Sequence, residues 1–190
     1  NYPEIALASA SPRRRELLNQ LGVSFNLVSA AVDETPLAGE EPLPYVQRLA
    51  VAKATAGAEK LQYQCPVLGA DTIVVVDGLI LGKPEDLQDF RRMMALLSGR
   101  QHQVITAVAL VTAENCYQTY VATDVFFRPL TKAEIEAYWQ SGEPQDKAGG
   151  YGIQGIAGRF VERINGSYSA VVGLPLCETE QLLKRLQDKI

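Results

Sequence analysis

The sequence predicts an α/β protein with a mixed sheet rather than a purely parallel, doubly wound one. Val67 to Val76 is a nearly continuous apolar run, the signature of a central strand buried on both faces. Asp77-Gly78 between Val74-Val75-Val76 and Leu79-Ile80-Leu81 is a strong hairpin signal. Segments of helical period opened by prolines separate other strands, so crossovers and hairpins occur in one chain.

Taken in order, Ile5 to Ala8 reads as a buried strand. A helix follows from Pro12 to about Leu21, with Ser11 as N-cap and Pro12 in the first turn, where its missing N–H costs nothing. Val23, Phe25 and Leu27 alternate with polar residues and predict a second strand. Ala31 to Pro42 is acidic and proline-bearing, hence a loop. A helix from near Pro44 to about Lys60 carries an apolar stripe of Val46, Leu49, Ala50 and Ala54, on which Lys53 falls. After the hairpin, Pro84 opens a helix with Leu87, Phe90, Met94 and Leu97 on one face, closed by Gly99. Gln103 to Thr112 and Cys116 to Phe127 are long β segments able to pair across Ala113-Glu114-Asn115. Thr131 and Glu134 form a capping box for a helix ending near Gly142. A glycine-rich stretch, Asp146 to Gly158, leads to a strand from Phe160 to Ile164. A turn at Asn165-Gly166-Ser167, a strand from Ser169 to Val172 and a final helix from Pro175 complete the reading.

With 190 residues, 47% of them hydrophobic, the chain can bury a real core as one domain, 1–190, compact or in two tightly joined lobes. A net charge of -4 argues against a protein that coats nucleic acid, yet suits a basic pocket for a small anion. The three cysteines, Cys65, Cys116 and Cys177, are widely spaced without a CxxC pair, so buried reduced thiols are expected rather than disulfides or zinc. No apolar run approaches the roughly 20 residues of a membrane span. The first residue is not methionine, so further residues are expected to precede it. No signal-peptide pattern stands at its start, and the expected location is cytoplasmic.

Several residues break local structural logic, which is where sites tend to lie. In Ser9-Ala10-Ser11-Pro12-Arg13-Arg14-Arg15, three arginines share the first turn of a helix whose dipole disfavours cations. A phosphate held at that N-terminus explains the placement best; a solvated helix face and a minor-groove arm compete, the latter weakened by the acidic charge. Asp71 is a carboxylate inside an apolar strand, costly unless a cation, a metal or hydrogen-bond donors hold it. Pairing with a buried arginine, or capping a nearby turn, is its structural alternative. Lys53 by itself reads as a lysine snorkelling from its stripe to water. Lys83, next to Pro84, is another cation at an expected helix start, and Glu34 alone is an ordinary loop acid. The segment Gly149-Gly150-Tyr151-Gly152-Ile153-Gln154-Gly155 follows neither the dinucleotide nor the P-loop order. It suggests backbone passing close to a ligand, with Tyr151 and Ile153 as anchors and Gln154 offering an amide. His102 is the only histidine, which argues against a histidine triad or a multi-histidine metal site.

These segments together resemble the Maf family of nucleoside triphosphate pyrophosphatases. The resemblance rests on Ser9-Ala10-Ser11-Pro12-Arg13-Arg14, Val32-Asp33-Glu34, Lys53-Ala54, Gly69-Ala70-Asp71-Thr72, Gly82-Lys83-Pro84, Asp146 through Gly155, and Asn165-Gly166-Ser167 leading into Val172-Gly173-Leu174-Pro175. It implies a strongly twisted mixed sheet with flanking helices, two lobes around a central cleft, and often a homodimer. It also implies hydrolysis of a nucleoside triphosphate to the monophosphate and pyrophosphate with a divalent cation, Mg²⁺ or Mn²⁺. No nucleic-acid or membrane partner is expected. Carried over, Asp71 becomes the proton acceptor, with Ser9, Arg13, Arg14, Lys53 and Lys83 on phosphate. Glu34 and Asp71 are the expected metal ligands. The chain is similar to the branch acting on dTTP and UTP, whose discriminating positions match Arg13, Thr72 and Gln154. A sister branch preferring 7-methyl-GTP has tryptophan, glutamine and glutamate there. A glutamine amide both donates and accepts, as a uracil or thymine edge requires. A nucleotide-binding regulator of cell division with little catalysis is the alternative function.

Overall fold

The computed structural model describes residues 2–29 and 31–188. Strands β1 (Ile5–Leu7), β2 (Phe25–Leu27), β3 (Val67–Val76), β4 (Leu79–Leu81), β5 (Gln101–Val111), β6 (Cys116–Phe127) and β7 (Val161–Asn165) form one seven-stranded sheet. Its order is β2-β1-β3-β5-β6-β7, with β4 also paired to β3. β1 is parallel to β2 and β3, and every other pairing is antiparallel. Helices α1 (Pro12–Gln20), α2 (Pro42–Lys60), α3 (Leu87–Leu97), α4 (Lys132–Gln140), α5 (Tyr168–Val172) and α6 (Leu176–Gln187) flank it. The expected mixed sheet is therefore present.

β3 positions the site. One edge bonds to β5 from Val67 to Val75 without interruption. The other edge pairs with β1 at Val67 and Leu68, then with β4 from Val74 to Val76. From Gly69 to Ile73 that edge has no strand beside it, and the chain leaving β1 turns away there into α1. This is a place where strands diverge, the usual location of a ligand crevice in an open α/β sheet.

The faces of the sheet follow the two-residue alternation of strands. On one face, Val67 and Ile73 pack with Ile105, Ala107 and Ala109 beneath the stripe Val46, Leu49, Ala50 and Ala54 of α2. On the other, the core is split. Leu68 and Ala70 join Val108, Leu17 of α1 and Leu182 of α6. Val74 and Val76 instead join Val104, Phe90 and Met94 of α3 and Tyr138 of α4. Thr72 and its cross-strand partner Thr106 occupy the positions between these two apolar groups.

Four expectations change. Ser169 to Val172 is helix α5, not a strand. The Ser167 hydroxyl accepts from the Ala170 N–H at 3.1 Å, and Gly173 stops the helix at φ 141°, a backbone open chiefly to glycine. This start-and-stop pair overrides the β preference of Val171 and Val172. Helix α3 begins at Leu87 rather than Pro84 because the Asp86 carboxylate accepts from the Asp89 N–H at 2.7 Å and caps it there. Helix α2 begins at Pro42, two residues before Pro44. Finally, the cysteines are free as expected but not buried: Cys116 and Cys177 are exposed and Cys65 is half-buried. The hairpin turn at Asp77-Gly78 (φ 52° and 74°), the Ser11 cap and the Thr131–Glu134 capping box stand as read.

Candidate active site

A cleft of about 810 Å³ opens over the bare edge of β3, and every site residue read from the sequence lines it. Its floor is built by the contact of α2 with β3. A Cβ on Gly69 would lie 2.6 Å from the Ala54 nitrogen and 2.8 Å from the Ala50 oxygen, so only glycine lets the helix come this close. That approach brings Lys53, the neighbour of Ala54, to Asp71, two residues beyond Gly69 on the same strand face. Lys53 Nζ donates to Asp71 Oδ1 at 2.7 Å and lies 3.0 Å from Glu34 Oε1. Lys53 does not snorkel to bulk water. It holds two carboxylates.

Asp71 is 7% exposed. Burial raises its pKa above the usual carboxylate range, and the Lys53 ammonium and Arg14 guanidinium oppose the shift. Glu34 arrives from the loop after β2. The Tyr45 hydroxyl of α2 donates to the Glu34 carbonyl at 2.6 Å. Arg48, one turn on, donates to Glu40 at 2.8 Å and to the Thr35 carbonyl at 3.2 Å. The loop backbone is thus clamped to α2 while the Glu34 carboxylate stays exposed.

The first helix contributes differently from expectation. Pro12 has no N–H, and the Arg14 N–H donates to the Ser11 hydroxyl at 3.3 Å. Ser9 Oγ accepts from the Ser11 N–H at 3.2 Å. Of the first-turn amides only that of Arg13 lacks a partner among the described residues, so side chains rather than backbone supply most of the positive lining. All three Arg14 nitrogens have a partner, and two of the five N–H groups are left over: Nε donates to the Gly173 carbonyl at 2.8 Å, one terminal nitrogen to Thr72 Oγ1 at 3.0 Å and the other to Ser9 Oγ at 3.5 Å. Burial lowers its pKa, the nearby Asp71 charge opposes that, and an arginine so placed stays protonated.

Arg13, Lys83 and Gln154 make no side-chain hydrogen bond or ion pair among the described residues. Lys83 and Gln154 are exposed at the rim. Lys83 does not sit on a helix N-terminus, since α3 is capped later by Asp86; it extends from the end of β4, where the Gly82 carbonyl accepts from the Gly149 N–H at 3.1 Å. The cleft therefore has a satisfied floor (Asp71, Lys53, Arg14, Thr72, Ser9) and a rim of uncommitted donors.

The glycine-rich stretch lines the cleft at Gly152 to Gln154, but its glycine pair serves protein packing rather than a ligand. At φ 69° and 78°, Cβ atoms on Gly149 and Gly150 would lie 2.7 Å from Val74 and 2.9 Å from Phe90. Tyr151 anchors the loop through a 2.5 Å hydrogen bond between its hydroxyl and buried His102 Nε2. Burial without a charge partner lowers the His102 pKa to about 4, so the ring is neutral.

Sequence reading missed Thr106, Tyr45 and Lys147 here. Thr106 Oγ1 is fully buried and sits 2.8 Å from Thr72 Oγ1. Lys147 Nζ, at the cleft wall, donates to the Glu143 carbonyl at 2.9 Å and to Asp146 at 3.1 Å. A threonine in a β run signals only strand propensity, and its partnership needs the β3–β5 register.

Residues 4–186 match the Maf family, described as "Maf-like protein". The chain belongs to the Maf family. Curated relatives named dTTP/UTP pyrophosphatase include those of Aliivibrio fischeri, 56% identical over 95% of this chain and 96% of that protein, and of Pseudoalteromonas translucida, 57% identical over 95% of each. That of Vibrio cholerae is 54% identical over 96% of this chain and 97% of its own length. Among solved structures, a dITP/XTP pyrophosphatase from Mycobacterium abscessus overlaps 66% of this chain and 74% of its own at TM-score 0.48 and 20% identity. In this Maf chain no described helix is long and apolar enough to cross a membrane.

Proposed function

We propose that this protein hydrolyses dTTP and UTP to the nucleoside monophosphate and pyrophosphate. The observation that carries the reading is a buried carboxylate, Asp71, paired with Lys53 on the floor of a cleft ringed by uncommitted cations. Relatives named for this activity, more than 50% identical over nearly their full length, support the same substrates. They also favour turnover over the alternative of a nucleotide-binding regulator.

In this reading Arg13 and Lys83 reach the phosphate tail from the rim, while Arg14 and Ser9 line the inner end. Asp71 accepts a proton from water as the oxygen attacks the α-phosphorus. The new P–O bond forms as the bond from that phosphorus to the bridging oxygen breaks, and pyrophosphate leaves. Its added negative charge meets the lysines and arginines, which are placed before the reaction begins. A raised pKa makes the Asp71 carboxylate a better proton acceptor than a free aspartate.

Glu34 and Asp71 fit a divalent cation. Their oxygens already converge on one positive nitrogen, that of Lys53, at 3.0 and 2.7 Å. Among the described residues no three His, Cys, Asp or Glu side chains gather into a protein-only site. Mg²⁺ is typically bound by one or two carboxylates completed by substrate phosphates, and this pair suits that mode. Bound there, such an ion supplies charge neutralisation and a lowered water pKa.

A panel of canonical nucleoside triphosphates, assayed for pyrophosphate with and without chelator, tests the reading. The expected result is chelator-sensitive pyrophosphate release from dTTP and UTP. Equal rates on purine substrates would defeat the pyrimidine assignment, and orthophosphate as product would overturn the bond cleaved.

A further inference from the structure

The wall of the cleft from Tyr151 to Gln154 carries no charged side chain, whereas Arg13, Arg14, Lys53 and Lys83 stand elsewhere on the lining. In a nucleoside triphosphate the charge is confined to the tail, so the nucleoside is the part that suits this wall. The wall is one tight turn: the Gly155 N–H donates to the Gly152 carbonyl at 3.1 Å, which puts Ile153 and Gln154 at its corner. With its side chain uncommitted, Gln154 stands where that backbone puts it.

Both feet of the turn are tied to one acid. The Ile156 N–H donates to Glu143 Oε1 at 3.2 Å. The Gly152 N–H donates to the Tyr138 hydroxyl at 3.2 Å. That hydroxyl has Glu143 as its side-chain hydrogen-bond partner, and burial followed by the Glu143 carboxylate raises its pKa. A carboxylate only accepts, so the Tyr138 hydrogen points to Glu143. Glu143 is itself fixed, its N–H donating to Ser141 Oγ at 3.2 Å and its carbonyl accepting from Lys147 Nζ at 2.9 Å. The turn is also shaped around it. Gly155 sits at φ -99°, outside the left-handed region, yet a Cβ there would overlap the Glu143 carboxylate.

We propose that Glu143 is a positioning residue for nucleotide binding: directly at Ile156, and through Tyr138 at Gly152, it holds the uncharged wall of the cleft in place against the nucleoside. Glu143 does not line the cleft, so it acts only through the turn. The inference rests on the proposed reading of the cleft as a nucleoside triphosphate site, and adds what keeps one of its walls fixed.

The test uses wild type, Glu143→Ala, Gly155→Ala and the double variant. It measures dissociation constants for a non-hydrolysable dTTP analogue and for inorganic tripolyphosphate, the tail without its nucleoside. Glu143→Ala is expected to weaken the analogue about tenfold, the size of one hydrogen bond lost, and tripolyphosphate by no more than about twofold. Gly155→Ala does the same, because its methyl group displaces the carboxylate. In the double variant the losses do not add: with the carboxylate gone the methyl has nothing to meet, and the analogue binds as it does to Glu143→Ala. Equal losses on both ligands would make Glu143 a support of the whole cleft and overturn the proposal. So would additive losses, or wild-type affinity for the analogue in Glu143→Ala. If Glu143→Ala gives too little folded protein, Tyr138→Phe, which drops one oxygen from a buried ring, is held to the same split between the two ligands. Pyrophosphate release keeps the two readings apart. A wild type that binds the analogue yet turns over no nucleotide fails the activity reading alone, and the split in binding still decides the role of Glu143.

Discussion

Lys53 Nζ and Asp71 Oδ1 lie 2.7 Å apart, on a helix and a strand pressed together at Gly69. The pair is part of a three-body arrangement, since Glu34 meets the same ammonium at 3.0 Å. Removing the Asp71 charge while keeping its shape should therefore leave the cleft intact and stop its chemistry. Asp71→Asn is expected to lower kcat by about 10²-fold or more with nucleotide affinity largely spared. Single-turnover pyrophosphate release beside a binding isotherm checks both halves. Near-normal turnover would take the proton-acceptor role from Asp71.

The same substitution has a thermal consequence of opposite sign. Burial holds the folded-state pKa of Asp71 above its unfolded value. Its stabilising contribution is then fully present below the ordinary carboxylate pKa and is lost as pH rises through the folded value. At neutral pH the ionised side chain is a net cost. Asp71→Asn should raise the melting temperature at pH 7 by about 2–4 °C, and the gain should shrink as pH falls toward 4. Melts at the two pH values settle it; a gain that grows on acidification contradicts the burial argument.

Gly69→Ala probes the seat of the pair. Its Cβ would press on the backbone of Ala50 and Ala54, which cannot swing aside as a side chain can. A loss of about 1–3 kcal/mol in chemical denaturation is expected, together with reduced kcat as Lys53 is pushed from Asp71. Full stability would show that α2 slides freely over β3.

Glu34→Gln removes one carboxylate from an exposed loop already clamped through Tyr45 and Arg48. Mn²⁺ affinity, followed by electron paramagnetic resonance with a non-hydrolysable dTTP analogue, should fall roughly tenfold or more while the melting curve stays put. Unchanged Mn²⁺ binding would leave Asp71 without Glu34 as a co-ligand.

Gln154→Glu changes a group that both donates and accepts into one that only accepts. Gln154 is exposed and bonds to no described residue, so stability should not move. The expected loss is about tenfold in kcat/KM for both dTTP and UTP. Unaltered kinetics would place the base elsewhere in the cleft.

Much of this was legible in the linear chain because certain residues violate their surroundings. Asp71 declares itself by sitting in the run Val67 to Val76, and Ser11 and Thr131 announce helix starts through local chemistry that tertiary structure does not alter. Lys53 was visible as an anomaly but not as a partner of Asp71, since the pairing depends on helix–strand approach at Gly69. Lys83 stands next to a proline that suggests a helix start, yet Asp86 outcompetes Pro84 as the start of α3. Val171 and Val172 suggested a strand, and only the cap at Ser167 with the stop at Gly173 makes them helical. Thr106 could not be read at all: its partner lies 34 positions away, and register is decided by the whole sheet.

The interrupted edge of β3 divides the labour of the molecule. Between Gly69 and Ile73 the strand keeps its bonds to β5, so reactive groups stand on the stiffest part of the scaffold. The segments bordering the interruption, from Ser9 into α1 and from Gly82 to Lys83, are short and make no ladder pairing with β3. Substrate preference in such a design can drift by rewriting those margins while the chemistry beneath them is inherited unchanged.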